Sequence, residues 1–146
     1  MTALLPEYAG WLDRVRATYE AVCYTCAHRL RDPRLAEQVS VQVIAGMVAR
    51  PGVFRYFGLP YSGRIARLAE ARLAEADAGR LATVCSWAEL RDALGAVPPR
   101  HQEVLVATCV RGDTAADDVR QATLAFMRDV AAPGLPPAPD PDETEG

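Results

Sequence analysis

The sequence contains no lysine and no asparagine, and aromatic residues make up only 7% of its 146 positions. All 16 basic residues are therefore arginine, which we interpret as the coding bias of a GC-rich genome and not as a device for binding phosphate. The net charge of -3 argues against a general coat for nucleic acid. Leucine, valine and alanine must supply most of the core, and the length predicts one compact domain or two very small ones.

Long apolar runs are also missing. The first residues show no charged start followed by an apolar run, which argues against a signal peptide. No stretch approaches the roughly 18 apolar residues that a membrane span requires. We therefore predict a cytoplasmic protein without membrane contact, whose four cysteines are reduced thiols.

Patterns typical of catalysis or metal binding are sparse. The only histidines are His28 and His101, and there is no phosphate-binding glycine loop, nucleophile elbow or carboxylate cluster on one helical face. Cys23 and Cys26 lie on the apolar face of a predicted helix near His28, but structural zinc requires four convergent ligands. We predict core cysteines, a solvated His101, no metal, no cofactor and no enzymatic activity.

Apolar residues recur at steps of three and four, which predicts an all-α fold, a helical bundle of about six helices. Breaks fall at Asp32-Pro33, Pro51-Gly52 and Pro98-Pro99, and Ser86 has the capping-box spacing to Glu89. No segment shows sustained period-two alternation. The predicted inner faces are Leu12, Val15, Tyr19, Val22, Cys23, Cys26 and Leu30 in the first helix, Leu35, Val39, Val43 and Met47 in the second, Ile65, Leu68, Ala69 and Leu73 in the third, and Val119, Ala122, Phe126 and Val130 in the last.

The second helix has an unusually wide apolar stripe, because Val41, Ile44 and Val48 extend it. This width indicates contact on more than one side.

Charge is distributed unevenly along the chain: residues 1–80 carry 11 arginines against 8 acids, and residues 81–146 carry 5 arginines against 11 acids. We predict one helical domain over 1–80, a shorter one over 81–132, and a disordered acidic, proline-rich tail over 133–146.

Two stretches together resemble a sigma factor of the extracytoplasmic-function type. Residues 27–51, AHRLRDPRLAEQVSVQVIAGMVARP, are similar to that family's polymerase-binding segment, and residues 90–114, LRDALGAVPPRHQEVLVATCVRGDT, to the start of its promoter-reading domain. Their order and separation also fit. The resemblance implies a sigma-like helical domain followed by a truncated promoter-reading domain, and a function in transcription regulation.

The chain departs from the family pattern at two places. Gln38 and Gln42 stand where the family has acids that meet a basic surface of the polymerase. From Ala115 to Ala132 there is no glycine or proline to form the turn of a helix-turn-helix, so we predict one continuous helix. That helix carries three acids against two arginines, a poor match for phosphates. We therefore predict a degenerate relative that lacks sequence-specific reading of DNA.

The resulting hypothesis is a non-enzymatic regulator that binds a protein partner, namely RNA polymerase core, an anti-sigma factor or another regulator. We predict that the contact lies on the outer side of the second helix. An apolar patch beside the polar side chains would complete it. The predicted contact residues are Glu37, Gln38, Val41, Gln42, Ile44 and Val48.

Two alternatives remain open. One is a helical adaptor or homo-oligomeric assembly module that has left transcription, since fold does not fix function. The other is a binder of single-stranded DNA through the aromatic loop 53–61, where rings could stack on bases and arginines neutralise phosphate. Packing of these aromatics into the core is the more ordinary interpretation. The residues that would bind nucleic acid are Arg50, Arg55, Tyr56, Phe57, Tyr61 and Arg64.

Overall fold

The computed structural model describes residues 4–48, 63–107 and 117–132, which form six α-helices and no strand. The all-α prediction is thereby confirmed. The helices are α1 (Pro6–Leu30), α2 (Pro33–Val48), α3 (Gly63–Asp77), α4 (Trp87–Gly95), α5 (Pro99–Leu105) and α6 (Asp117–Ala131).

The first two helices are separated by a tight corner. Arg31 takes a left-handed conformation at φ 59° and donates its backbone N–H to the carbonyl of Ala27, which ends α1. The Asp32 carboxylate then accepts hydrogen bonds from the backbone of Arg34 at 3.0 Å and of Leu35 at 3.4 Å. Aspartate at this position satisfies amides of the first turn that the helix itself leaves unpaired. α2 therefore starts directly at the corner and packs back along α1.

α2 is the central helix of the bundle. It contacts α1, α3, α4 and α6, and every residue from Val39 to Val48 is buried. The predicted contact on more than one side is confirmed. Because α4 and α6 come from the second half of the chain, the two predicted domains pack against each other around one hydrophobic core.

The remaining turns are fixed by local chemistry. α3 is followed by Gly79 at φ 71°, a conformation that favours glycine. The predicted capping box is confirmed, since the Ser86 hydroxyl accepts from the backbone of Glu89 and the Glu89 carboxylate accepts from the backbone of Ser86. Pro98 is the N-cap residue of α5, and Pro99 is the first residue of that helix.

Two buried polar side chains join the start of α1 to the turn between α4 and α5. The Tyr8 hydroxyl donates to the carbonyl of Leu94 at 2.7 Å. The Gln102 amide donates to the carbonyl of Val97 at 2.7 Å and accepts from the backbone N–H of Leu5 at 2.9 Å. These contacts fix the second half of the chain against the first.

α6 is unbroken from Asp117 to Ala131, as predicted for the described part of this region. Its inner face differs from the prediction, because Val119 and Ala122 are exposed and Phe126 and Val130 are half-buried. The true inner face lies about one position away, and Thr123 obscured it in the sequence because its polar side chain interrupts the pattern. The buried residues of α6 are Thr123, Leu124, Met127 and Ala131.

Candidate partner-binding surface

The residues predicted to form an outer contact surface on α2 do not lie on the outside. Ile44 and Val41 are fully buried, Val48 is 1% exposed and Gln42 is 2% exposed. Glu37 and Gln38 are half-buried. The predicted exposure is therefore wrong for the four buried residues, because α2 is in contact with four other helices that cover them.

The polar side chains of α2 instead hold a segment of the same chain. We define the polar strip as Glu37, Gln38 and Gln42, and the covering segment as residues 82–87. Gln38 accepts from the backbone N–H of Val84 at 2.7 Å and donates to the carbonyl of Cys85 at 3.3 Å.

The two ends of the covering segment are bonded in the same way. Gln42 donates to the carbonyl of Ala82 at 2.8 Å, and Glu37 accepts from the backbone N–H of Trp87 at 3.3 Å. The strip thus makes four hydrogen bonds with the backbone of the segment. The partners of the strip are main-chain groups of a stretch that, up to Ser86, belongs to no helix.

An aromatic contact anchors the covering segment at its C-terminal end. The ring of Trp87 stacks on that of Tyr19 from α1, with centroids 4.1 Å apart and planes 6° from parallel. Burial raises the pKa of the Tyr19 phenol, and the neighbouring Cys23 raises it further, so the hydroxyl stays protonated. Sequence reasoning assigned Tyr19 to the core but did not connect it to Trp87, 68 positions later in the chain.

A small groove adjoins this stack between α1 and α4. Its volume is about 140 Å³, and its rim carries Asp13 with Arg16 and Arg91. Drug-sized ligands occupy pockets of roughly 300–1,000 Å³, so this groove is too small for one. The apolar lining consists of Leu12, Val15, Trp87 and Leu94.

His101 is 8% exposed, which contradicts its predicted place in solvent. Its Nδ1 lies 2.8 Å from the hydroxyl of Thr123, and its ring stacks on Phe126 with centroids 4.5 Å apart. Burial lowers the pKa of His101, and the nearby Arg100 lowers it further. The residue joins α5 to α6. The spacing of apolar residues in α5 did not indicate that His101 is buried, because its partner Thr123 lies on α6.

The cysteines pack as a hydrophobic part of the described structure. Cys26 is fully buried, and burial, followed by the neighbouring Cys23, raises the pKa of its thiol to about 11. Cys23 and Cys85 are half-buried, and burial also raises the pKa of Cys85. Within the described ranges, no three side chains of histidine, cysteine, aspartate or glutamate are grouped to hold a metal ion.

The proposed nucleic-acid set falls almost entirely outside the described residues. Arg50, Arg55, Tyr56, Phe57 and Tyr61 lie there, and so does the side chain of Arg64, whose backbone belongs to α3. Cys109 lies there as well. The single-stranded DNA interpretation therefore stays a prediction.

Among the helices that the structure describes, none is both long and apolar enough to traverse a bilayer. Comparisons of the chain with family models, with curated proteins and with solved structures find no match.

Proposed function

We propose that the chain is a non-enzymatic, sigma-factor-like transcription regulator that acts by binding a protein partner. The partner is RNA polymerase core, an anti-sigma factor or another regulator. The observation that carries the proposal is the polar strip of α2, whose side chains bond main-chain groups of polypeptide. This strip lies within residues 27–51, the stretch in which the chain resembles the polymerase-binding segment of the sigma family.

The arrangement of the helices also supports the proposal. The described parts of the two stretches that carry the resemblance lie against each other, since α2 contacts α4 directly. α6 is one uninterrupted helix from Asp117 to Ala131, and its exposed face carries Asp118 and Asp129 beside Arg120 and Arg128. Mixed charge of this kind gives little net attraction to a phosphate backbone, which favours protein over duplex DNA as the partner.

Affinity purification of the tagged full-length chain at low salt tests the proposal. We expect polymerase subunits or a dedicated regulator to co-purify, and the tag alone to recover neither. Light scattering of the purified chain serves as the second measurement. Recovery of neither class of protein, together with a stable homo-oligomer, would contradict the proposal and favour an assembly module.

A further inference from the structure

We infer that the covering segment, residues 82–87, is an internal occupant of the partner-binding strip, so that the described structure is a closed form in which the strip is masked. This inference rests on the proposed function. In the closed form all three side chains of the strip are engaged by the chain's own backbone. A partner that uses the strip must therefore displace the segment.

The amino acids of the strip fit this occupant. Gln38 and Gln42 both donate to carbonyl oxygens of the segment, those of Cys85 and Ala82. A carboxylate at either position would accept only, and would place negative charge against a carbonyl oxygen. The two positions where the sigma resemblance calls for an acid are the two that supply these donors. The physical consequence is a strip whose amide donors fit main-chain carbonyl oxygens.

The structure of the covering segment also favours its detachment from α2. Residues 80–86 belong to no helix, and Ala82 and Thr83 are exposed. Val84 and Cys85 are only half-buried against the core, in contrast to the fully buried Val41 and Ile44 of α2. Segments with few buried apolar contacts and partly exposed hydrogen bonds open at a lower free energy than the core does.

The test opens the segment without altering α2. Val84→Pro removes the N–H that bonds the Gln38 side chain. Thr83→Pro is the matched control, because it makes the same change one residue earlier, at an exposed position without a hydrogen bond to the strip. Trp87→Ala is a second opening variant that removes the stack on Tyr19. Circular dichroism identifies any variant that loses helix. If one of the two opening variants loses helix, the other is used in its place.

Two readouts are taken on the full-length proteins. Peptide-mapped thiol labelling of Cys85 reports opening, and titration against purified bacterial core RNA polymerase reports binding. We expect Val84→Pro and Trp87→Ala to label roughly tenfold faster than wild type, since one lost hydrogen bond or one lost aromatic stack corresponds to about that factor. Thr83→Pro should match wild type. Binding should tighten by up to the same factor in the opened variants, because the apparent affinity scales with the population of the competent form.

The outcomes separate the two proposals. Faster labelling and tighter binding together support masking by the covering segment. Equal labelling in all four proteins overturns it, and so does faster labelling with binding that is equally tight in all four, a result that leaves the proposed function in place. Faster labelling with no binding by any protein contradicts the proposed contact with polymerase, and masking of a polymerase-binding strip is overturned with it.

Discussion

α2 and α6 have almost the same length, 16 and 15 residues, but very different surroundings. α2 is buried on every side from Val39 to Val48, whereas α6 buries one face and exposes the other. The difference follows from charge. After Glu37, α2 has no ionisable side chain to keep in water, while α6 carries charged residues at 117, 118, 120, 128 and 129.

The comparison separates a helix that supports the fold from one that offers a surface. The polar groups of α2 find partners inside the molecule: Ser40 donates to the carbonyl of Ala36 at 2.7 Å, and Gln42 donates to that of Ala82. A buried helix whose polar groups are all engaged contributes stability. Its polar groups are covered, whereas the outer face of α6 is accessible.

The largest expected difference between the two helices is in the cost of truncating an apolar side chain. Ile44 on α2 is fully buried, so Ile44→Ala should lower the free energy of unfolding by about 2–5 kcal/mol through lost burial and a cavity. Val119 on α6 is 46% exposed, so Val119→Ala should change it by less than about 0.5 kcal/mol.

Urea denaturation followed by circular dichroism measures both changes. The two substitutions remove aliphatic carbon from helices of the same bundle, so each serves as the control for the other. Equal losses for Ile44→Ala and Val119→Ala would show that α2 is not the enclosed helix, and the comparison would fail.

The next effect concerns the only buried polar side chain among the described residues of α6. Thr123→Val should destabilise the protein by about 1–3 kcal/mol, because the buried ring nitrogen of His101 loses its partner at 2.8 Å. Thr123→Ser keeps the hydroxyl and should retain most of the stability. Similar losses for both variants in thermal denaturation would mean that the hydrogen bond contributes little to the contact of α6.

Local patterns were predictable from the sequence, and tertiary enclosure was not. The stripes of α1 and α3, the break at Asp32-Pro33 and the capping box at Ser86 depend on residues within a few positions of each other. Periodicity therefore reports them directly. The width of the α2 stripe also indicated contact on several sides.

The burial of polar residues was missed for a common reason. Gln38 and Gln42 read as solvent-facing positions because their partners lie 40–47 residues away in the sequence. His101 was predicted to be solvated on its own helix, because its partner Thr123 lies 22 positions away on another helix. The helical periodicity of a sequence does not indicate that a polar side chain is buried when its hydrogen-bond partner lies far away in the chain.

A smaller effect is expected at the boundary between the covering segment and α4. Ser86→Ala removes the side chain that accepts from the backbone of Glu89 at 3.1 Å, and should lower the free energy of unfolding by about 1 kcal/mol. Ser86→Thr retains the capping oxygen and should remain near wild type. An unchanged midpoint for Ser86→Ala in urea would show that the capping box contributes little to the stability of α4.

The smallest expected effect is a pH dependence of the free energy of unfolding. It arises where His101 contacts α6 and involves no residue of α2. Burial lowers the folded-state pKa of His101 below its unfolded value of about 6.5, so the unfolded chain binds a proton more readily than the folded one. The resulting stability is fully present above about pH 6.5 and is lost as the pH falls through the folded pKa.

Carboxylates also affect stability at low pH. The informative quantity is therefore the change in the free energy of unfolding of the wild type between pH 7.5 and 5 minus the same change for His101→Gln, both measured by urea denaturation. We expect His101→Gln to flatten the profile. A His101→Gln profile parallel to wild type would mean that protonation of this ring does not weaken the attachment of α6.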